Sequence, residues 1–202
     1  MDLINTALAA LGGGTSAIVL KWLYQAWLRR TSFKSLLHQV DYVNSRLEII
    51  DNKTGAVRAA IFVAHNGGGI PRLGNHIKTS ILYEHAMPNH KRLKNGWQDV
   101  PITPEHTRML INVATTGSAE CLVEGLGNGT LKDMYEVNEI VHSQMFWIGQ
   151  EKTRWYYLSV QFAEGYVCDA NSRDVIREEL SKLRKLFAGN YKRAGKEEIG
   201  ND

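Results

Sequence analysis

Cysteine is scarce in this chain: Cys121 and Cys168 are the two thiols in 202 residues. Neither belongs to a C-x-x-C pair, so a disulfide framework and a zinc ribbon are excluded, and both are expected to behave as small buried hydrophobes in a reducing compartment. A dominant charge is lacking as well. Lys and Arg number 24 against 21 Asp and Glu, and the net charge of +3 is dispersed as +2 over 1–30, 0 over 31–56, −1 over 57–170 and +2 over 171–202. No strongly basic patch results, and nucleic acid is not an expected partner. With 44% hydrophobic and 22% charged residues, wholesale disorder, collagen-like repeats and a multi-span transporter are excluded. The length allows one well-buried domain and an appendage.

Long apolar runs are also absent, with one exception. Leu3 to Leu20 holds eighteen consecutive residues without a charge, and apolar character resumes from Trp22 to Leu28 before Arg29 and Arg30 end it. A helix over 3–28 would be about 39 Å long, enough for a hydrocarbon layer of ~30 Å. Trp22, Tyr24 and Trp27 stand beside Lys21, Arg29, Arg30 and Lys34, as aromatic residues do at a headgroup belt, and the basic flank orients the chain beyond Arg30 toward the cytoplasm. Residues 1–30 are therefore expected to anchor the chain in membrane lipid as a single pass through the inner membrane, with the C-terminal domain cytoplasmic. An interfacial helix and a soluble packing helix are the other readings. Gly12–Gly14 fits either a close helix–helix contact or a hinge.

Phe33, Leu36, Val40, Val43, Leu47 and Ile50 alternate three and four apart, which predicts an amphipathic helix over about 32–51 within a connecting segment 31–55. Its seam suits a homodimer; packing on its own domain is the plainer alternative. Beyond it, Ala56–Ala64 reads as a buried central strand and Lys78–His85 as a second strand. Thr103-Pro104-Glu105 starts a helix running to about Thr115. A strand over Ala119–Val123 and a short helix near 130–135 come next. Val141–Ile148 and Arg154–Ala163 form a hairpin across a five-residue loop. Ser172 is expected to cap a last helix ending near Ala188–Gly189, leaving 190–202 as a flexible tail. The order predicts an α+β domain over 56–189, an antiparallel sheet with its helices gathered on one face.

The strand VRAAIFVAHN, the strand KTSILYEHA, the capped helix ITPEHTRMLINV and the closing hairpin with its succeeding helix together resemble a GAF-like domain of the PAS/GAF group, over roughly residues 35–188. They are also similar to membrane-tethered GAF-like phage proteins of unassigned role, whose first strand likewise runs into a His-Asn-Gly-Gly turn. The resemblance implies a non-catalytic, membrane-tethered module that senses a small molecule, regulates, or serves as a dimerising scaffold. A phage structural or lysis-associated assembly role is the alternative it leaves. It places the pocket between the sheet face and the loops after the second strand, with His65, Asn66, Gly67, Gly68, Tyr83 and Glu84 as candidate ligand-binding residues. The cysteine arrangements of the bilin-attaching and methionine-sulfoxide-reducing GAF subfamilies are not seen.

His65-Asn66-Gly67-Gly68-Gly69 is the most distinctive local sequence. Its glycines could turn amides toward an anion, though no Gly-Lys-Ser/Thr comes after them, so a P-loop is excluded. A tight turn fixed by His65 and Asn66 is the plainer reading. The seven histidines show neither helical H-x-x-x-H spacing nor a cysteine pair, so no metal is expected, and a small hydrolase or metal site near His65, drawing on His76, His85, His90, Glu84 or Cys121, is the alternative. Ser80 or Cys121 with His85 and a carboxylate can be assembled on paper, but no nucleophile motif surrounds them. His90–Lys94 is a basic loop that would attract an anion or be solvated, and Trp97 would pin it to the core.

Overall fold

The computed structural model describes residues 14–66, 77–151, 153–166 and 168–198, in two units, Met1–Tyr42 and Val43–Asp202. The first helix is α1 (Gly14–Thr54). No proline or glycine interrupts its sequence after Gly14. Among the described residues no helix is long and apolar enough to cross a membrane. Most of the Leu3–Leu20 stretch lies outside them.

Gly55 stops α1 at a φ of +68°, with its N–H donating to the Asp51 carbonyl at 2.9 Å. This left-handed cap suits glycine, and a β-carbon there would overlap the Tyr166 ring. Gly55→Ala is expected to lower the unfolding free energy by about 1–2 kcal/mol, read from urea denaturation.

The helical seam is spent within the domain. Val43, Leu47 and Ile50 are 1% exposed or less and pack with Ile176, Leu180 and Leu183. These seam residues belong to the domain's own core, the plainer of the two readings, and nothing among the described residues supports a homodimer through helix 32–51.

The sheet is antiparallel, in the order β3-β2-β1-β6-β5-β4, with β1 (Arg58–His65), β2 (Lys78–Ala86), β3 (Val100–Pro101), β4 (Ser118–Leu122), β5 (His142–Glu151) and β6 (Arg154–Phe162). Its helices are not gathered on one face. Ala60, Phe62 and Ala64 of β1 face a core shared with α2 (Pro104–Thr116) and α3 (Thr130–Val137). Ala59, Ile61 and Val63 face the second core, with the end of α1 and α4 (Ala170–Glu198). A strand apolar at consecutive positions needs cover on both sides, and that requirement outweighs the one-sided layering.

Four boundaries differ from expectation. β5 and β6 pair as far as Glu151–Arg154, so the hairpin loop is two residues long, and a register shift between Trp147 and Gly149 absorbs the extra residue. Asp169, not Ser172, caps α4: its Oδ1 accepts from the Ser172 N–H at 2.7 Å. That helix continues through Gly189 to Glu198, into the segment expected as a tail. The short β3 went unforeseen. Thr103 does cap α2, its Oγ1 accepting from the His106 N–H at 3.2 Å.

Candidate functional site

β1 carries His65 to its C-terminal end, next to Asn66, and two clefts meet there. One, of about 350 Å³, lies on the α2 face, lined by Ala64, Leu110, Ile111 and Trp155 with Thr107 and Gln150. The other, of about 430 Å³, lies on the opposite face beside Val63, Ser80, Leu82 and Tyr156. His65 and Asn66 line both. The α2-face cavity is mainly apolar with a few polar groups at its rim, the usual constitution of a small-molecule site. Ile77 and Ile111 leave apolar surface exposed there, at 46% and 53%.

His65 Nε2 stands 3.1 Å from Ser80 Oγ and 3.5 Å from Asp99 Oδ1, and the Asp99 N–H donates to the same Ser80 oxygen at 2.9 Å. Serine, histidine and aspartate thus meet, but not as a relay. A base must take the hydroxyl proton on one ring nitrogen and be held by a carboxylate on the other, whereas here both partners face Nε2. His85, the other histidine considered with Ser80, is engaged elsewhere, with Nδ1 2.8 Å from Asp51 Oδ2.

The remaining candidate residues do not converge on His65. Gly67 and Gly68 lie outside the described residues. Tyr83 packs with the α1/α4-side core, beneath Lys94 Nζ at 5.9 Å, and burial pushes its phenol pKa up. Glu84 pairs with Ala60, five residues along β1 from His65, a separation of about 16 Å at ~3.3 Å per residue. Its carboxylate is 3.0 Å from Arg58 Nε and accepts the Leu93 and Lys94 N–H groups at 2.7 and 2.9 Å. Arg58 in turn donates to Gln161 Oε1 at 2.8 Å and to the Lys91 carbonyl at 2.5 Å. Glu84 therefore fastens the basic loop, and buried Leu93 and Trp97 pin the same loop to the core.

Sequence reasoning missed Leu110, Ile111 and Thr107 as lining residues and read Trp155 as core. Ile111 was the available signal: it falls off the α2 face buried through His106, Leu110 and Val113. Deeper on the same side, His106 Nε2 lies 3.1 Å from the Tyr157 hydroxyl, itself 3.1 Å from Thr79 Oγ1. Burial holds the His106 pKa down to about 4, so this imidazole is neutral and structural at ordinary pH.

No family model matches the chain, and no curated protein does. Solved structures do. A far-red cyanobacteriochrome photoreceptor is 13% identical, with a TM-score of 0.52 over 81% of this chain and 97% of that one. The blue-light absorbing GAF domain of PixJ from Thermosynechococcus elongatus is 8% identical, with a TM-score of 0.54 over 79% and 93%. The fold is GAF-like. A GAF domain/HD domain protein of Geobacter sulfurreducens matches at 8% identity and a TM-score of 0.51, over 74% and 91%. At such identities the likeness is one of fold, and the resemblance to phage proteins has no counterpart in these matches.

Within this GAF-like fold neither thiol is poised for covalent chemistry. Burial raises the Cys121 pKa to about 11 and raises that of Cys168 too, so both stay protonated, and the thiolate is the nucleophile. Among the described residues no three His, Cys, Asp or Glu side chains are grouped to hold a metal.

Proposed function

We propose that this chain is a non-catalytic sensory or regulatory module that takes a small, largely apolar molecule into the α2-face cavity. The observation that carries the reading is the cavity of about 350 Å³ whose apolar walls, Leu110, Ile111 and Trp155, meet Thr107, Gln150 and the His65–Asn66 corner. Apolar walls supply affinity and the rim polar groups orientation. Photoreceptor GAF domains among its structural neighbours lend the fold a sensory precedent. The test is binding of 8-anilinonaphthalene-1-sulfonate, followed by the probe's own emission, to the full chain and to Thr107→Trp, which places a bulky side chain in the cavity wall. Saturable binding lost in the variant, with unchanged far-UV circular dichroism and thermal midpoint, is expected. Equal binding by both proteins overturns the site.

The module is tethered, on this proposal, to the inner membrane by residues 1–30, supported by the uncharged Leu3–Leu20 stretch and the aromatic-basic flank at Trp22–Arg30. The full chain is expected to stay in the membrane pellet after alkaline carbonate washing. Release into the supernatant refutes the tether and leaves the cavity untouched.

A further inference from the structure

β4 is an edge strand: among the described residues it pairs only with β5. The Trp147 N–H donates to the Gly117 carbonyl and the Val123 N–H to the Val141 carbonyl, both at 3.0 Å. Antiparallel pairing alternates, so Ala119 and Cys121 bond β5 while the main-chain groups of Ser118, Glu120 and Leu122 point away from the sheet. The Ser118 carbonyl accepts from Thr116 Oγ1; the others form an open ladder. Such an edge is a template for another strand unless something covers it.

The groove along that edge is bipolar. At the Ser118 end α4 presents Arg173, Arg177 and Arg184 around Leu180, at spacings that place them on one helical face. At the Leu122 end stand Glu124, Glu136 and Glu139, with exposed Val141 and Tyr166. Glu120 lies in both clefts and is held by His142 at 2.8 Å. Arg173, Glu124 and Glu139 have no ion pair among the described residues. Leu122 is 54% exposed on the edge itself.

We propose that a second copy of this chain occupies the groove, β4 pairing antiparallel with β4 about a two-fold axis normal to the sheet. A partner of one charge would meet repulsion at one end. A two-fold axis instead carries the arginine end of each copy onto the glutamate end of the other, the self-complementarity an isologous interface requires. The register that sets each Glu120 opposite a Leu122 covers the exposed leucine and keeps like charges apart.

The test uses the full chain in mild detergent, with mass measured by light scattering after size exclusion. The wild type is expected as a dimer. Glu120→Pro is expected as a folded monomer, since its N–H points outward and the monomer loses no ladder bond. Arg173→Glu and Glu124→Lys should each weaken the dimer about 10-fold or more, and mixing these two variants should restore a heterodimer, because each reversed charge then meets its opposite. Thermal melts of the reversal variants should match the wild type. A wild-type monomer, single reversals that stay fully dimeric, or a mixture that fails to associate each overturns the proposal. If Glu120→Pro does not fold, the reversals and their mixture decide alone.

Discussion

Glu84→Ala is expected to destabilise the fold by about 3–5 kcal/mol, the range for breaking a buried ion pair from one side. The Arg58 and Glu84 side chains are 0% and 1% exposed, so no water replaces the lost carboxylate. The guanidinium would keep only Gln161 and the Lys91 carbonyl, and the Leu93 and Lys94 amides would lose their acceptor. Two costs therefore add: a buried cation that has lost its paired carboxylate and a released loop. Urea denaturation measures the first, and a red shift of Trp97 emission under native conditions reports the second. The double variant Arg58→Met with Glu84→Leu removes the charge problem but not the loop's, so it should recover part of the loss. A Glu84→Ala cost below about 1 kcal/mol would place the pair among the weak surface bridges and contradict its burial.

The second large effect is a pH dependence with two opposed limbs. Unfolded His106 takes a proton near the ordinary value of 6.5, whereas folded His106 refuses one until about 4. Between those values the unfolded chain holds more protons, so stability is lost as pH falls, by about 3 kcal/mol in all. Asp51 runs the other way. Burial lifts its pKa from 3.8 to about 8 against the opposing Ala59 amide and Arg58 charge, with Glu84 adding to the rise, so the folded chain holds the extra proton and stability falls as pH rises through that window. His85 Nδ1 lies 2.8 Å from the same carboxylate. The limbs offset each other from about pH 4 to 6.5, and the Asp51 limb alone remains above it. Asp51→Asn should expose the acid limb, stability rising to about pH 6.5 and then levelling. His106→Phe should leave a decline across the whole range. Parallel pH profiles for the two variants would refute both assignments.

Most strands and the capped start of α2 were legible because local chemistry announces them: β-branched runs, a threonine before proline, glycine at a helix end. The two-sided cover of β1 was legible as well, in the uninterrupted Ala59–Ala64 run, but counting helices toward one layer obscured it. The candidate site was only partly readable. His65 and Asn66 do line clefts, while Glu84, an acidic residue on a strand, looks the same in sequence whether it faces a ligand or Arg58. That partner sits 26 positions away in the chain, and only strand register brings the two together. The cavity walls on α2 escaped for a similar reason: Leu110 and Ile111 are adjacent, and sequence alone does not say which of them turns toward open space.

β1 has a consequence for how this protein can vary. Ala59, Ala60 and Ile61 are fully buried, and Phe62, Val63 and Ala64 nearly so, with consecutive residues committed to opposite cores. An ordinary amphipathic strand offers every second position to chance substitution. Here neither parity is free: alanines admit no larger side chain without displacing a helix, and the larger residues leave voids if trimmed. Substitution along this strand is constrained at both parities at once, so a change tolerated by one core is still tested by its neighbour in the other.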